Sequence, residues 1–417
     1  MIWLKIIATF GARTYGTAIE LATLMVTARM LGPDGRGIVA TILAWASLFA
    51  AIFGLSLGQV IVHRLTGNEN EGQFNLTFSA LLPVSFLFIL AGWLCAYVVY
   101  FLTESGGLKA LPGGILLLGF SLIPLLIWDT YCSHLLSASG RLHIYNRGLI
   151  VGRTAGFGVM LSAILLLGLG TYSPLLGSMT SLLLIILASI YGIRNSLHWP
   201  LKFHAGEVTS LLGGGLKLHI NTIGSYLLMT VDVIILSQFR GAEEVGWYQA
   251  AMQFIAVPLM LPAVITMVLF SKIAEEGPDN TWSIHRQLIW QIMILMGAVA
   301  LAGYFIAPVL IPLLLGGDFA EAVPVFRILL LAMIGMCFSQ LMVSQWISRG
   351  LFLQASIITI TVGITNVILN FVFIPMYGMY AAAWTTIGAF SISILTNGIF
   401  ALLIENKWKN TQVSTPA

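Results

Sequence analysis

Charge is what this sequence has least of: Asp, Glu, Lys and Arg make up 8% of its 417 residues, while 58% are hydrophobic. Soluble domains carry about 25% charged residues, so a water-facing surface cannot be built from this composition and lipid must be the solvent for most of the chain. Cysteine is nearly missing, and Cys95, Cys132 and Cys337 all lie inside apolar stretches. There a thiol is a small buried hydrophobe, and neither a disulfide framework nor a thiolate metal site is indicated. A formal charge of only +3 does not point to nucleic acid; in a membrane protein a mild basic excess reports loops held against an anionic cytoplasmic leaflet. Walker A and His-Glu-x-x-His patterns are absent, and the one Gly-x-Ser-x-Gly, Gly54–Gly58 (GLSLG), lies inside an apolar helical run without the strand-to-helix turn of a nucleophile elbow. The sequence therefore offers no sign of a serine nucleophile, an ATP-binding loop or a zinc-hydrolase site, and neither a catalytic residue, a metal nor a cofactor is expected. Arg13 and Glu20 interrupt the first apolar run and no small-residue cleavage site follows it, so the first helix is expected to be retained.

What is present is apolar length. A bilayer core about 30 Å thick needs roughly 20 apolar residues per helix. Polar and Gly/Pro punctuation places about twelve such helices, near 6–31, 38–63, 76–102, 113–139, 148–170, 174–194, 213–239, 247–273, 286–315, 322–348, 354–374 and 379–404. Pro258, Pro262, Pro308 and Pro312 should bend their helices rather than break them. Counted at helix ends, thirteen Lys and Arg, among them Arg64, Arg141, Arg153, Lys202, Lys272 and Lys407, fall on the side of the N-terminus. Arg29, Arg36, Lys109, Arg240 and Arg327 fall on the other, close enough to helix ends to snorkel. The positive-inside rule then puts both termini in the cytoplasm. The longest polar connection, 195–212, is cytoplasmic, and no external loop is large enough to form a domain.

An internal repeat organises the chain. Gly37 in MLGPDGRGIVA matches Gly246 in SQFRGAEEVGWYQAA at an offset of 209, and Arg64 matches Lys272 at 208. Gly140 in SASGRL matches Gly350 in ISRGLF at 210, and Gly170-Thr-Tyr172 matches Gly378-Met-Tyr380 at 208. The offset covers six helices, an even number, so the halves share orientation and form a parallel repeat. The expected fold is an all-α polytopic membrane protein of two six-helix bundles. They are 1–194 and 213–404, with a cytoplasmic linker at 195–212 and a cytoplasmic tail at 405–417.

Polar residues inside these helices are the candidate site. In the first helix Arg13, Thr17, Glu20, Thr23 and Thr27 recur at steps of three and four on one face. The seventh helix carries Asn221, Ser225 and Asp232, the eleventh Asn366 and Asn370, and the fourth Asp129. A charge at membrane depth costs at least about 2.5–3.5 kcal/mol. Arg13, Glu20, Asp129 and Asp232 should therefore face a polar cavity or one another, and Arg13 and Glu20 could simply neutralise each other or partner helices. His63 and His134 are lone histidines without a paired ligand.

Three segments, ARMLGPDGRGIVA (28–40), DVIILSQFRGAEEVGWYQAA (232–251) and PMYGMYAAAWTTIGAF (375–390), together with the span count and the repeat, carry a family resemblance. The chain resembles the polysaccharide-biosynthesis flippases, such as O-antigen flippases, of the multidrug/oligosaccharidyl-lipid/polysaccharide exporter superfamily. It departs from the common pattern at Ile38-Val39, where an aromatic often follows. The resemblance implies a V-shaped pair of bundles in a bacterial inner membrane. By alternating access they would pass an undecaprenyl-diphosphate-linked repeat unit to the periplasmic leaflet for O-antigen or another surface polysaccharide. A polysaccharide polymerase and chain-length machinery would be partners. Arg13 would then contact the diphosphate, Asn221, Ser225, Asn366 and Asn370 would meet sugar hydroxyls, and Glu20 or Asp232 would bind a coupling proton or sodium ion. The main alternative is a cation-coupled multidrug antiporter of the same superfamily. A membrane polymerase or ligase is disfavoured, since those generally carry a sizeable external loop.

Overall fold

The computed structural model describes residues 2–65, 71–197, 201 and 204–413, and among these every regular element is helical. In chain order they are α1 (Ile2–Phe53), α2 (Leu57–Leu65), α3 (Glu71–Leu102), α4 (Gly113–Phe120), α5 (Leu122–Ala138), α6 (Leu142–Leu165) and α7 (Tyr172–Ile193). There follow α8 (Ala205–Met229), α9 (Val231–Phe239), α10 (Ala242–Glu276), α11 (Trp282–Leu315), α12 (Ala322–Ser348) and α13 (Phe352–Val413). Nine stretches are long and apolar enough to cross a membrane, and the bent pair in α8 and α9 makes a tenth. Two of the nine are double length. Thr9–Phe53 would run about 68 Å as one helix, twice a bilayer core, but it breaks at Gly32 with φ 67°. The cause is local, because the ring of Pro33 disfavours the helical region at the residue before it. Phe352–Lys407 breaks likewise at Gly378 with φ 59°. Divided at those two glycines, the described residues hold the twelve expected spans. Large apolar side chains face outward in rows, for example Phe86, Leu87, Leu94 and Phe101 on α3 and Ile294, Phe305, Val309 and Leu313 on α11, as helices in contact with lipid require.

Packing divides the chain into two compact units, Met1–Tyr226 with Val233–Gly246, and Leu227–Asp232 with Trp247–Ala417. The first is cored by Phe49, Leu57, Ile61, Leu81 and Tyr131. The second is cored by Trp282, Met296, Met342, Trp346 and Phe400, the last two rings stacked with centroids 3.4 Å apart. Repeat-related glycines end equivalent helices in the same way. Gly140 (φ 69°) and Gly350 (φ 71°) follow α5 and α12. In each case the next residue, Arg141 or Leu351, turns its N–H back five residues, to the carbonyl of Leu136 or Trp346. That is a left-handed helix stop that needs no Cβ at the glycine.

Three positions differ from the expectation. Helix α8 begins at Ala205 rather than near 213, so 205–212 of the expected connection is helical. Helix α6 begins at Leu142 rather than near 148, so Arg153 sits at mid-helix and not at a cytoplasmic end. Arg36 does not snorkel: it is buried, and its Nη1 donates to Thr27 Oγ1 at 3.3 Å, because the Gly32 break folds the second leg of α1 onto the first. A third break, Gly54–Ser56 between α1 and α2, is left-handed at its two residues that are not glycine. Leu55 (φ 47°) and Ser56 (φ 50°) both adopt the left-handed conformation, at roughly 1–2 kcal/mol each. Tyr131, whose hydroxyl donates to the Gly54 carbonyl at 3.0 Å, and Thr222, bonded to Ser56 Oγ at 2.7 Å, hold it open.

Candidate functional site

In the second unit the chemistry converges on Asp232. The 46° bend between α8 and α9 removes Asp232 from the stripe of Ser225 and places it in the first turn of α9. It is 2% exposed, and four donors reach its two oxygens. Asn366 and Asn370 donate to Oδ1 at 3.0 and 2.7 Å, and the hydroxyls of Tyr248 and Thr386 donate to Oδ2 at 2.7 and 3.2 Å. The supporting elements follow from the sequence. Asn366 and Asn370 are one turn apart on the first leg of α13, Thr386 lies beyond its Gly378 break, and Tyr248 is near the start of α10. Asn370 uses both its N–H groups, giving a second hydrogen bond to Asn366 Oδ1 at 3.2 Å, and its oxygen accepts one from the Thr385 hydroxyl. A carboxylate has about four lone-pair sites, and here neutral amides and hydroxyls face them all, the single Thr386 proton being shared with the Ala382 carbonyl at 2.8 Å. Hydrogen bonds to a charged group contribute about 1.5–3 kcal/mol each, which offsets the cost of burying the charge. A sodium ion can reach Asp232 only by displacing one of the donors, whereas a proton on Oδ2 needs only the Tyr248 or Thr386 hydroxyl to turn from donor to acceptor.

In the first unit, α1 and α6 meet along a polar seam. Asn146 donates to Thr9 Oγ1 at 3.0 Å, Tyr15 and Thr154 share a hydrogen bond of 2.6 Å, and Arg153 pairs with Glu20 at 2.9 Å. Glu20 is therefore engaged by another helix and not by Arg13. Thr17 turns its hydroxyl inward to the Arg13 carbonyl at 3.2 Å. Arg13 is exposed, and its guanidinium has no ion pair or hydrogen bond among the described residues. Asp129, on α5, accepts a hydrogen bond of 3.0 Å from Tyr145 and lines a cavity of about 230 Å³ with Ser47, Ser56, Gln59 and Tyr226. Arg153 lies within electrostatic range of this carboxylate as well. Ser225 is exposed on α8. Asn221 lies in the same helix, but its side chain is outside the described residues.

The structure thus brings Asp232, Asn366 and Asn370 into one cluster, Arg13, Thr17 and Glu20 onto one helix face, and Asp129 into a separate pocket. Tyr248, Thr385, Thr386, Tyr145 and Arg153 are partners that helical periodicity does not reveal. The threonines do stand in the PMYGMYAAAWTTIGAF segment, and each tyrosine follows its aspartate by 16 residues. No group of three or more His, Cys, Asp or Glu able to hold a metal occurs among the described residues.

Residues 2–275 match the family model described as polysaccharide biosynthesis protein. A Shigella flexneri protein named "Putative O-antigen transporter" is 23% identical over 339 residues, 78% of this chain and 79% of its own length. Among solved structures, the lipid II flippase MurJ in an inward closed conformation matches with a TM-score of 0.74 at 17% identity, covering 100% of this chain and 94% of that one. The inward-facing state of a multidrug resistance MATE transporter of the MOP superfamily matches with a TM-score of 0.71 at 14% identity, covering 93% and 96%. At such identities these likenesses establish the fold.

Proposed function

This chain belongs to the polysaccharide biosynthesis protein family, and we propose that it is a flippase that moves an undecaprenyl-diphosphate-linked oligosaccharide from the cytoplasmic to the periplasmic leaflet of a bacterial inner membrane. A sugar hydroxyl taken from water without a hydrogen-bond partner costs roughly 2–7 kcal/mol, so a glycan head crosses lipid only along a polar path. The observation that carries the reading is Arg13. With Glu20 held by Arg153, the first helix presents a guanidinium with no ionic partner among the described residues. Such a fork of donors suits the oxygens of a diphosphate. The lipid tail stays in the bilayer while the head moves along the polar path, and an inside-negative potential favours its outward movement by about 2.3 kcal/mol per charge per 100 mV. O-antigen is the glycan that the Shigella relative's name suggests.

Asp232 is the proposed coupling residue. A sodium ion that took the place of a donor, or a proton that turned these charge-assisted hydrogen bonds into weaker neutral ones, would loosen the tie between Asp232 and α10 or α13, which links cation occupancy to helix position. In this reading Asn366 and Asn370 serve the carboxylate rather than the sugar. The same cluster also suits a cation-coupled drug antiporter, the second reading. In cells that lack the chain, glycan-linked undecaprenyl diphosphate should accumulate on the cytoplasmic face, relieved by the intact protein and not by a folded Arg13→Ala variant. Unchanged glycan lipids together with gained drug resistance would favour the antiporter.

A further inference from the structure

The Asp129 pocket is used by neither cluster above. We infer that it is a subsite for one uncharged pyranose ring, and this rests on the flippase reading only for the source of the sugar. Four polar groups on its wall have no protein partner among the described residues: Asp129 Oδ2, the Ser47 hydroxyl, the Gln59 amide and the Tyr226 hydroxyl. Together they offer acceptors and donors at several points, the pattern that adjacent hydroxyls of a sugar satisfy, since each hydroxyl both donates and accepts. Ala50, Ala51, Leu126 and Ile127 supply an apolar wall for the C–H face of a ring.

Size and charge narrow the ligand class. The cavity of about 230 Å³ equals roughly seven or eight waters at about 30 Å³ each, too large for a single bare cation and ample for one six-membered sugar. No Lys or Arg lines it, the His134 ring on its wall has Nδ1 against the Thr130 carbonyl at 2.8 Å, and its one carboxylate opposes an anion. The diphosphate therefore belongs elsewhere. One wall is the Gly54–Ser56 break, where the left-handed Leu55 and Ser56 are held by Tyr131 and Thr222. Backbone held in rarely populated conformations concentrates at ligand sites, and interrupted helices line the binding cavities of transporters.

The test is saturation-transfer NMR on the full-length protein in nanodiscs, with methyl glycosides of hexoses, N-acetylhexosamines and deoxyhexoses as probes. Intact protein should transfer magnetisation to the ring protons of at least one glycoside. Ala51→Leu, which fills the cavity with an apolar side chain, and Asp129→Asn, which keeps an acceptor for Tyr145, should each weaken that binding by about tenfold or more. No transfer to any glycoside, equal transfer in Ala51→Leu, or displacement by sodium chloride but not choline chloride would overturn the assignment. The last outcome would mark a cation site. The flippase reading is judged by the leaflet assay alone, so the two can fail separately.

Discussion

Gly37 and Gly246, 209 residues apart, each lie against the backbone of the other's helix start with no space for a side chain. A Cβ on Gly37 would stand 1.6 Å from the Ala242 carbonyl oxygen, and one on Gly246 would stand 2.0 Å from the Pro33 carbonyl oxygen. Each obstructing carbonyl lies four residues before the opposing glycine, so the contact is reciprocal. The sequence repeat is visible here as a crossing of two related helix starts within the first unit.

Alanine at either position forces backbone apart. Gly37→Ala and Gly246→Ala should each destabilise the protein by about 1–3 kcal/mol, read as a lower midpoint of thermal unfolding in detergent. Gly241→Ala, where a Cβ meets nothing within 4 Å, should be close to neutral. Equal behaviour of all three would refute the reciprocal contact.

At Asp232 the identity of the replacement matters more than the loss of charge. In Asp232→Asn the remaining oxygen can still accept from Asn366 and Asn370, while the new amide donates to the Tyr248 and Thr386 hydroxyls, which can reverse their role. The variant should fold, and its transport should no longer respond to a proton or sodium gradient. Asp232→Leu strands the Tyr248 hydroxyl and one N–H each of Asn366 and Asn370, three buried donors at about 1–3 kcal/mol each, while Thr386 keeps the Ala382 carbonyl; it should reduce the yield of folded protein. A gradient response that survives in Asp232→Asn would remove Asp232 from coupling.

The Glu20–Arg153 pair has side chains 51% and 37% exposed, so it should add no more than about 1 kcal/mol to stability. Its proposed value is to keep Glu20 away from Arg13. Arg153→Ala should therefore leave thermal stability nearly unchanged while slowing transport, and the Glu20→Arg, Arg153→Glu exchange should not restore the rate, because it places a second cation beside Arg13. Restoration by the exchange would make the pair a packing contact.

The left-handed helix stops offer a test of the repeat. Gly140→Ala and Gly350→Ala, at φ 69° and 71° with nothing within 4 Å of a Cβ, should each cost about 1–2 kcal/mol from conformation alone. The two shifts in unfolding midpoint should be similar if the stops are equivalent, and a large disparity would argue against that.

The spans were legible because apolar length and helix punctuation are local properties: 322–348 coincides with α12 to the residue, and of the repeat glycines Gly140, Gly170, Gly350 and Gly378 proved to be left-handed stops or breaks, while Gly37 and Gly246 lie within helices. The bend after Met229 was not legible, since no proline or glycine marks it, and it separates Asp232 from the spacing that seemed to join it to Ser225. Periodicity identifies a polar face without identifying what that face meets. Asn366 and Asn370 turned to Asp232, and Glu20 turned to Arg153, a residue that a helix start misplaced by six positions had assigned to a cytoplasmic end. Arg36 was misread for a similar reason, because the fold-back at Gly32 that buries it depends on tertiary packing.

The central claim is translocation of a glycan lipid, and reconstitution measures it without a cell. Purified protein in liposomes, given undecaprenyl diphosphate bearing a fluorescent oligosaccharide in the inner leaflet, should raise the rate at which the glycan becomes accessible to an external glycosidase. An inside-negative potential should raise that rate further, and Arg13→Ala should return it to that of empty liposomes. Glycan accessibility no faster than in protein-free liposomes, with the protein folded and present in both orientations, would contradict the account.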